Sequence, residues 1–239
     1  MATTMTERVE KVKLAMKKLN IPDTLKAQVK YILDDSGSAE WMYNNGMMQE
    51  LTERAMAVGI RLDADGKLEV VSFSNTAHKH GDITEADIPG YIQNRFIPEA
   101  KVARTWLGGT DYHAAVVVAA EAPSNEAVSK LKSFATGLFR KKPVEPVYPN
   151  FNIFISDGRD DGSESDLIAA LTAVQNTDYF MMVGVGNPDY FGRMQKVADL
   201  LPNVGFVHFN DLTISDDVMY ARILTKEGLD WLLARQPQQ

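Results

Sequence analysis

Short apolar runs alternate with amphipathic stretches along most of this chain. Over residues 6–19, Val9, Val12, Met16 and Leu19 recur at helical spacing with Glu and Lys between them, and Asn20 and Pro22 close the helix. Residues 28–33 follow as a short β-rich run ending at Asp34. A single helix is predicted over 41–58, with Met47, Met48, Leu51, Ala55 and Val58 on one side. Asp63-Ala64-Asp65-Gly66 stands between the apolar runs 60–62 and 68–73, which predicts a hairpin or a tight turn. The same tetrad starts like a calcium-binding loop, but the third carboxylate and the terminal Glu of such a loop are missing from their places.

Beyond this point the alternation continues. Helices are predicted over 114–121, 124–138, 166–174 and 190–200, with a closing helical region at 216–235. Compact apolar strands are predicted at 151–155, 179–185 and 205–209. Between 140 and 149, Arg140-Lys141-Lys142-Pro143, Pro146 and Pro149 break the periodicity and read as a solvated loop. Short apolar strands alternating with helices give an α/β fold: a doubly wound, mostly parallel sheet covered on both faces. The organisation expected is an N-terminal helical extension, 1–27, followed by one domain over 28–239.

Composition narrows the function. With 25 Lys plus Arg against 32 Asp plus Glu, the net charge of −7 argues against non-specific nucleic-acid binding, which needs cations to displace counterions. The chain has no cysteine, which excludes disulfides and thiol catalysis. No apolar run approaches the length of a membrane span, and the first 20 residues lack the apolar core of a signal peptide. A cytoplasmic protein is expected.

Three separated segments carry the candidate chemistry: Asp34-Asp35-Ser36-Gly37-Ser38, Gly108-Gly109-Thr110-Asp111 and Ile155-Ser156-Asp157-Gly158. The first and third follow predicted strands. In a doubly wound sheet, ligands bind beyond the carboxyl ends of the strands, where the strand order reverses. Neighbouring strands there would bring the Asp34 and Asp157 loops over one crevice, with Thr110 reaching it from the side. Gly37, Gly108, Gly109 and Gly158 would let the backbone turn sharply near a ligand. The donors these segments supply are all hard oxygens, carboxylates and hydroxyls, a set suited to Mg²⁺, Mn²⁺ or Ca²⁺. Each residue also has a plainer use. Asp34 and Ser36 could cap the helix near Trp41, Thr110 could cap the next one, and Asp157-Gly158 could be a strand-end turn.

The Asp-x-Ser-x-Ser spacing, with a later Thr and a later Asp, resembles the metal-ion-dependent adhesion site of von Willebrand factor A (VWA) domains. The likeness runs from about Gln28 to Trp231 and is most specific at Lys30-Tyr31-Ile32-Leu33-Asp34-Asp35-Ser36-Gly37-Ser38. Asp65-Gly66-Lys67-Leu68-Glu69-Val70, Gly108-Gly109-Thr110-Asp111-Tyr112 and the tail around Tyr220 and Asp230-Trp231-Leu232 resemble the tellurium-resistance, TerF-like branch. The resemblance implies that Asp34, Ser36, Ser38, Thr110 and Asp157 hold a divalent ion, Mg²⁺ by default with Ca²⁺ or Mn²⁺ as alternatives. It further implies that a partner protein completes the metal's shell with an Asp or Glu, in a bacterial or phage stress-response setting. Two departures stand out. Asp35 adds a carboxylate inside the motif, which points away from the metal or else raises cation affinity and favours Ca²⁺. Ala39 replaces the usual larger apolar residue. The 122–150 region is longer than a minimal domain needs and is where partner specificity is expected.

Two other functions compete. A Mg²⁺-dependent hydrolase or phosphatase would use Asp34 as nucleophile, but the Asp-x-Asp pair is absent and nothing in the sequence fixes Arg159, Lys79 or Arg104 beside it. His78, His80 and His113 show no metal-ligand spacing with a nearby acid. A nucleotide site at Gly184-Val185-Gly186 lacks the third glycine, position 189 being Asp. The expectation is therefore a binding module and not an enzyme.

Overall fold

The computed structural model describes residues 3–63, 65–120 and 147–237. Its sheet contains β1 (Gln28–Asp34), β2 (Leu68–Phe73), β3 (Ala77–Ile83), β4 (Asn150–Ser156), β5 (Asp178–Val185) and β6 (Val204–Phe209). The strand order is β3-β2-β1-β4-β5-β6, and every pair runs parallel except β2 with β3. The described helices are α1 (Met5–Lys18), α2 (Glu40–Asn44), α3 (Met47–Leu62), α4 (Ile97–Ala103) and α5 (Tyr112–Ala120). They continue with α6 (Glu164–Ala173), α7 (Gly192–Leu200), α8 (Asp216–Ile223) and α9 (Lys226–Leu233).

Successive strand residues point to opposite faces, so each strand feeds two cores. Tyr31, Leu33, Ile153, Met181 and Val183 pack with α1, α3, α8 and α9, whereas Ile32, Phe154, Phe180 and Met182 pack with α5, α6 and α7. Burial on both faces is why these strands read as continuous apolar runs. β1 and β4 are adjacent, with Leu33 opposite Ile155. The order reverses between them, and their carboxyl ends carry Asp34 and Asp157.

Helix α1 begins with a reciprocal cap: Glu7 N–H donates to Thr4 Oγ1 at 3.3 Å, and Thr4 N–H donates to Glu7 Oε2 at 2.7 Å. It docks through Val12, Ala15 and Met16. Buried ion pairs fasten it. Arg8 Nη1 lies 3.0 Å from Asp216 of α8, and Arg54 Nε of α3 lies 2.9 Å from the same oxygen.

Several expectations are corrected here. The helix predicted over 41–58 is two, α2 and α3, parted at Gly46, whose φ of 79° no helix interior permits. The predicted hairpin between 60–62 and 68–73 does not form. Ile60, Arg61 and Leu62 are the last turn of α3, because Ala55, Val58 and Leu62 continue one buried helical face. The antiparallel pair is instead β2 with β3, a polar edge strand whose composition gave no strand signal. Residues 92–103 form a π-helical segment, Ile92–Phe96, running into α4, with no counterpart among the predicted elements. The closing region splits at Leu224, where Thr225 caps α9. The predicted helix at 124–138 and the loop from 140 to 146 lie outside the described residues.

Candidate metal site

Asp34 ends β1 with its side chain fully buried. Its Oδ1 accepts the Ser36 backbone N–H at 3.0 Å, and its Oδ2 accepts Ser156 Oγ–H at 2.5 Å. The Ser36 and Ser38 hydroxyls are 3.1 Å apart, and Ser38 Oγ donates to Asp157 Oδ1 at 3.1 Å. Two loops separated by 119 positions are thus closed into one hydrogen-bonded chain, Asp34–Ser36–Ser38–Asp157. No sulfur or imidazole takes part in it.

Thr110 joins through its backbone. Gly37 N–H donates to Gly108 O at 2.9 Å, and Asp161 N–H donates to Thr110 O at 2.8 Å, so the second loop is pinned between the first and the third. The Thr110 side chain is buried but makes no hydrogen bond to the other four among the described residues. Helix capping does not occupy it. Asp111 Oδ1 accepts Ala114 N–H and Asp160 Oδ1 accepts Tyr112 N–H at the start of α5, while α2 is preceded by Ala39 with no side-chain cap. The plainer capping uses of Asp34, Ser36 and Thr110 are therefore not the ones found.

Two glycines have steric duties. A Cβ at Gly108 would fall 2.3 Å from Asn75 Oδ1, and one at Gly158, where φ is +94°, would fall 2.4 Å from the Phe191 ring.

Burial raises the Asp34 pKa to about 7, against the hydrogen bonds from Ser156 and Ser36, and the nearby Asp157 carboxylate pushes it further in the same direction. Asp157 is also raised, again chiefly by burial. Two carboxylates sharing a buried site repel each other, and a dication reverses that repulsion. The donor set fits a hard divalent ion: two carboxylates, with hydroxyls adjacent in space. Among the described residues no group of three or more His, Cys, Asp or Glu is gathered as a metal site, so any such ion relies on neutral oxygens.

Asp35 points away from this group. Its Oδ2 accepts Thr105 Oγ1–H at 2.5 Å, and its backbone carbonyl accepts Leu107 N–H at 2.7 Å. Thr105 Oγ1 lies 3.1 Å from Ser72 Oγ, which lies 2.8 Å from His80 Nε2, and His80 Nδ1 lies 3.1 Å from Glu99 Oε2. A polar chain therefore runs from the first loop, through β2 and β3, to the surface. Sequence reasoning missed it because its members are scattered over 70 positions. It also missed Ser156, which holds Asp34 and bonds Tyr112 OH at 2.8 Å and Gly158 N–H at 3.1 Å. The available signal was a hydroxyl ending an apolar strand on the same face as Asn152 and Phe154.

The family described as the vWA found in the TerF C terminus matches residues 26–239. The chain belongs to it. VWA domains are protein-interaction modules, often metal-dependent and typically non-enzymatic. This VWA chain is 27% identical over 217 residues to the uncharacterized protein YcbR of Bacillus subtilis (strain 168), covering 90% of this chain and 81% of that one. Its fold is similar to the SpRpn10 VWA domain, with a TM-score of 0.52 and 11% identity, covering 86% of this chain and 98% of that one. It is also similar to a von Willebrand factor type A protein from Catenulispora acidiphila, with a TM-score of 0.50 and 18% identity. That match covers 84% of this chain but 43% of the other, so this VWA domain spans less than half of that chain. Among the described residues no helix is long and apolar enough to cross a membrane.

Proposed function

We propose that this VWA domain captures a partner protein through a divalent ion held by Asp34, Ser36, Ser38, Thr110 and Asp157, with Mg²⁺ as the resident ion. The hydrogen-bonded chain linking Asp34 to Asp157 through Ser36 and Ser38 is the observation that carries this reading. When bound, the ion supplies Lewis acidity toward an incoming carboxylate. Three of the five groups are neutral hydroxyls, which keeps the ion receptive to an Asp or Glu from the partner. Asp34 is poorly suited to nucleophilic attack on a phosphoester, since it is fully buried and both oxygens already accept hydrogen bonds. This supports a binding role over a hydrolase. A cytoplasmic setting in a tellurium-resistance or stress-response system, bacterial or phage, is the context that the TerF-like family suggests. The segment 1–27, which carries α1, would then be an extension docked on the domain 28–239.

Calorimetric titration with Mg²⁺, Mn²⁺ and Ca²⁺ tests the metal directly. Asp157→Ala is expected to abolish uptake while the circular dichroism spectrum stays unchanged. Equal metal affinity in wild type and variant would move the site elsewhere.

A further inference from the structure

The polar chain from Asp35 to Glu99 can be counted hydrogen by hydrogen. It has four contacts: Asp35 Oδ2 to Thr105 Oγ1 at 2.5 Å, Thr105 Oγ1 to Ser72 Oγ at 3.1 Å, Ser72 Oγ to His80 Nε2 at 2.8 Å, and His80 Nδ1 to Glu99 Oε2 at 3.1 Å. Asp35, Ser72 and Thr105 are buried, and the His80 side chain is 0% exposed. Of the five, only Glu99 opens to solvent, with a side chain 38% exposed.

Each contact needs one hydrogen between its two heavy atoms. Ser72 and Thr105 carry one each, and ionised Asp35 and Glu99 carry none. A neutral imidazole adds a third, which leaves one contact of the four unfilled. With that hydrogen on Nδ1, Ser72 donates to Nε2 and Thr105 to Asp35, and the two hydroxyl oxygens face each other bare. With it on Nε2, the Nδ1 lone pair faces the Glu99 carboxylate. The imidazolium fills every contact: His80 donates to Glu99 and Ser72, Ser72 to Thr105, and Thr105 to Asp35. Thr105 has a second acceptor in Ala100 O, but at 3.4 Å it is much the longer contact. An unmade contact between buried polar groups costs free energy, so a proton on His80 alters the bonding along the whole chain.

The far end of that chain holds a loop. Leu107 N–H donates to Asp35 O at 2.7 Å and Gly37 N–H donates to Gly108 O at 2.9 Å, and the same segment delivers Thr110. Arg104 and Leu107, on either side of Thr105, have φ of 63° and 61°, a conformation that side chains rarely adopt and that depends on such bonds.

Burial is the largest influence on His80 and holds the imidazole below the usual histidine range. Glu99 of α4 pulls the other way. His78 of β3, its ring 5.0 Å away, and Arg95 of the π-helical segment, itself 3.0 Å from Glu99, press in the same direction as burial.

We infer that His80 is a proton-operated latch on the 105–110 loop: when the imidazole takes a proton from solvent past Glu99, Ser72 turns its hydrogen from His80 to Thr105 and the loop is held more firmly. The latch goes beyond the metal-dependent reading and does not depend on what Thr110 binds.

The test is NMR of the untagged full chain in chelator, from pH 8 to pH 5. The chain has four histidines. The His80 signal is identified by its contact with the Phe96 ring, 4.9 Å away, and by its loss in His80→Gln. It is expected to titrate below about pH 6.5. Through that transition the protection of Leu107 N–H from hydrogen exchange is expected to rise roughly fivefold more in wild type than in Thr105→Val, the worth of one hydrogen bond. Thr105→Val removes a hydroxyl and no charge, and the comparison cancels the Asp34 titration common to both proteins. It should also lower the His80 midpoint by roughly half a pH unit, although it lies two contacts from the ring. An imidazole that stays neutral down to pH 5 would put the fourth hydrogen elsewhere and overturn the latch. So would a His80 midpoint and a Leu107 protection that are the same in Thr105→Val as in wild type.

Discussion

Two clusters of buried charge in this protein make an instructive pair. In one, Asp216 lies between Arg8 and Arg54, with Lys11 within 3.4 Å and Glu50 and Glu53 on the far side of the arginines. Acids and bases are matched side chain to side chain, so the cluster is electrically complete and its work is to fasten α1 and α8 onto α3. In the other, Asp34 and Asp157 face each other through serine hydroxyls, and neither makes a salt bridge among the described residues. Desolvating carboxylates without a cation costs free energy. Under the proposed function a bound dication supplies the missing charge, which among the described residues only Arg159 approaches from the protein side.

The largest expected effect falls on the matched cluster. Asp216→Ala strands two buried guanidinium groups, with Glu50 and Glu53 as their remaining partners. It should lower stability by about 3 kcal/mol, read as a shift of the urea midpoint, with Mg²⁺ affinity unchanged. An equally large loss of metal affinity would mean that the two clusters are coupled and the contrast is false.

The acidic cluster should respond to pH. The folded-state pKa of Asp34 is raised to about 7, well above its unfolded value. Protonation therefore favours the fold: this contribution is fully present below the unfolded pKa and is lost as pH rises through about 7. In chelator, the stability of wild type relative to Asp34→Asn should fall between pH 5 and pH 8, by on the order of 2 kcal/mol. Parallel stability curves for the two proteins would show that Asp34 pays no desolvation penalty. Saturating Mg²⁺ should remove the trend, since the ion stabilises the charged form.

The smallest expected effect is at Asp35, which touches neither cluster but ties down the loop leading to Thr110. Asp35→Ala removes the acceptor for Thr105 Oγ1. It should weaken Mg²⁺ binding roughly tenfold, as supporting residues around metal sites do, with Asp35→Asn recovering part of the loss. Full affinity in the Ala variant would mean that the Leu107 and Gly108 backbone bonds suffice to hold the loop.

The legible parts of the fold were those with a strong period. β1, β4 and β5 are buried on both faces and announce themselves as apolar runs, and α1 carries its cap and its apolar stripe in adjacent residues. β3 was illegible because an edge strand needs no apolar face: of Ala77–Ile83 only Ile83 is buried. The break between α2 and α3 turns on the backbone of one glycine, and the apolar spacing runs straight across it. At the candidate site, the spacing of Asp34, Ser36 and Ser38 pointed to shared chemistry. The direction of Asp35 could not be read, because its partner Thr105 is 70 positions away and reaches it only once α4 is folded.

What the chain alone determined is the identity of the candidate donors and the buried strands that lead into Asp34 and Asp157, since periodicity and residue chemistry are local properties. The tertiary structure decided which of them meet. Placing β1 beside β4 at the reversal of strand order brings Asp34 and Asp157 over one crevice, and folding of α4 turns Asp35 aside toward Thr105. Those outcomes depend on contacts between residues far apart in sequence, and strand order, which no local pattern encodes, is what creates them.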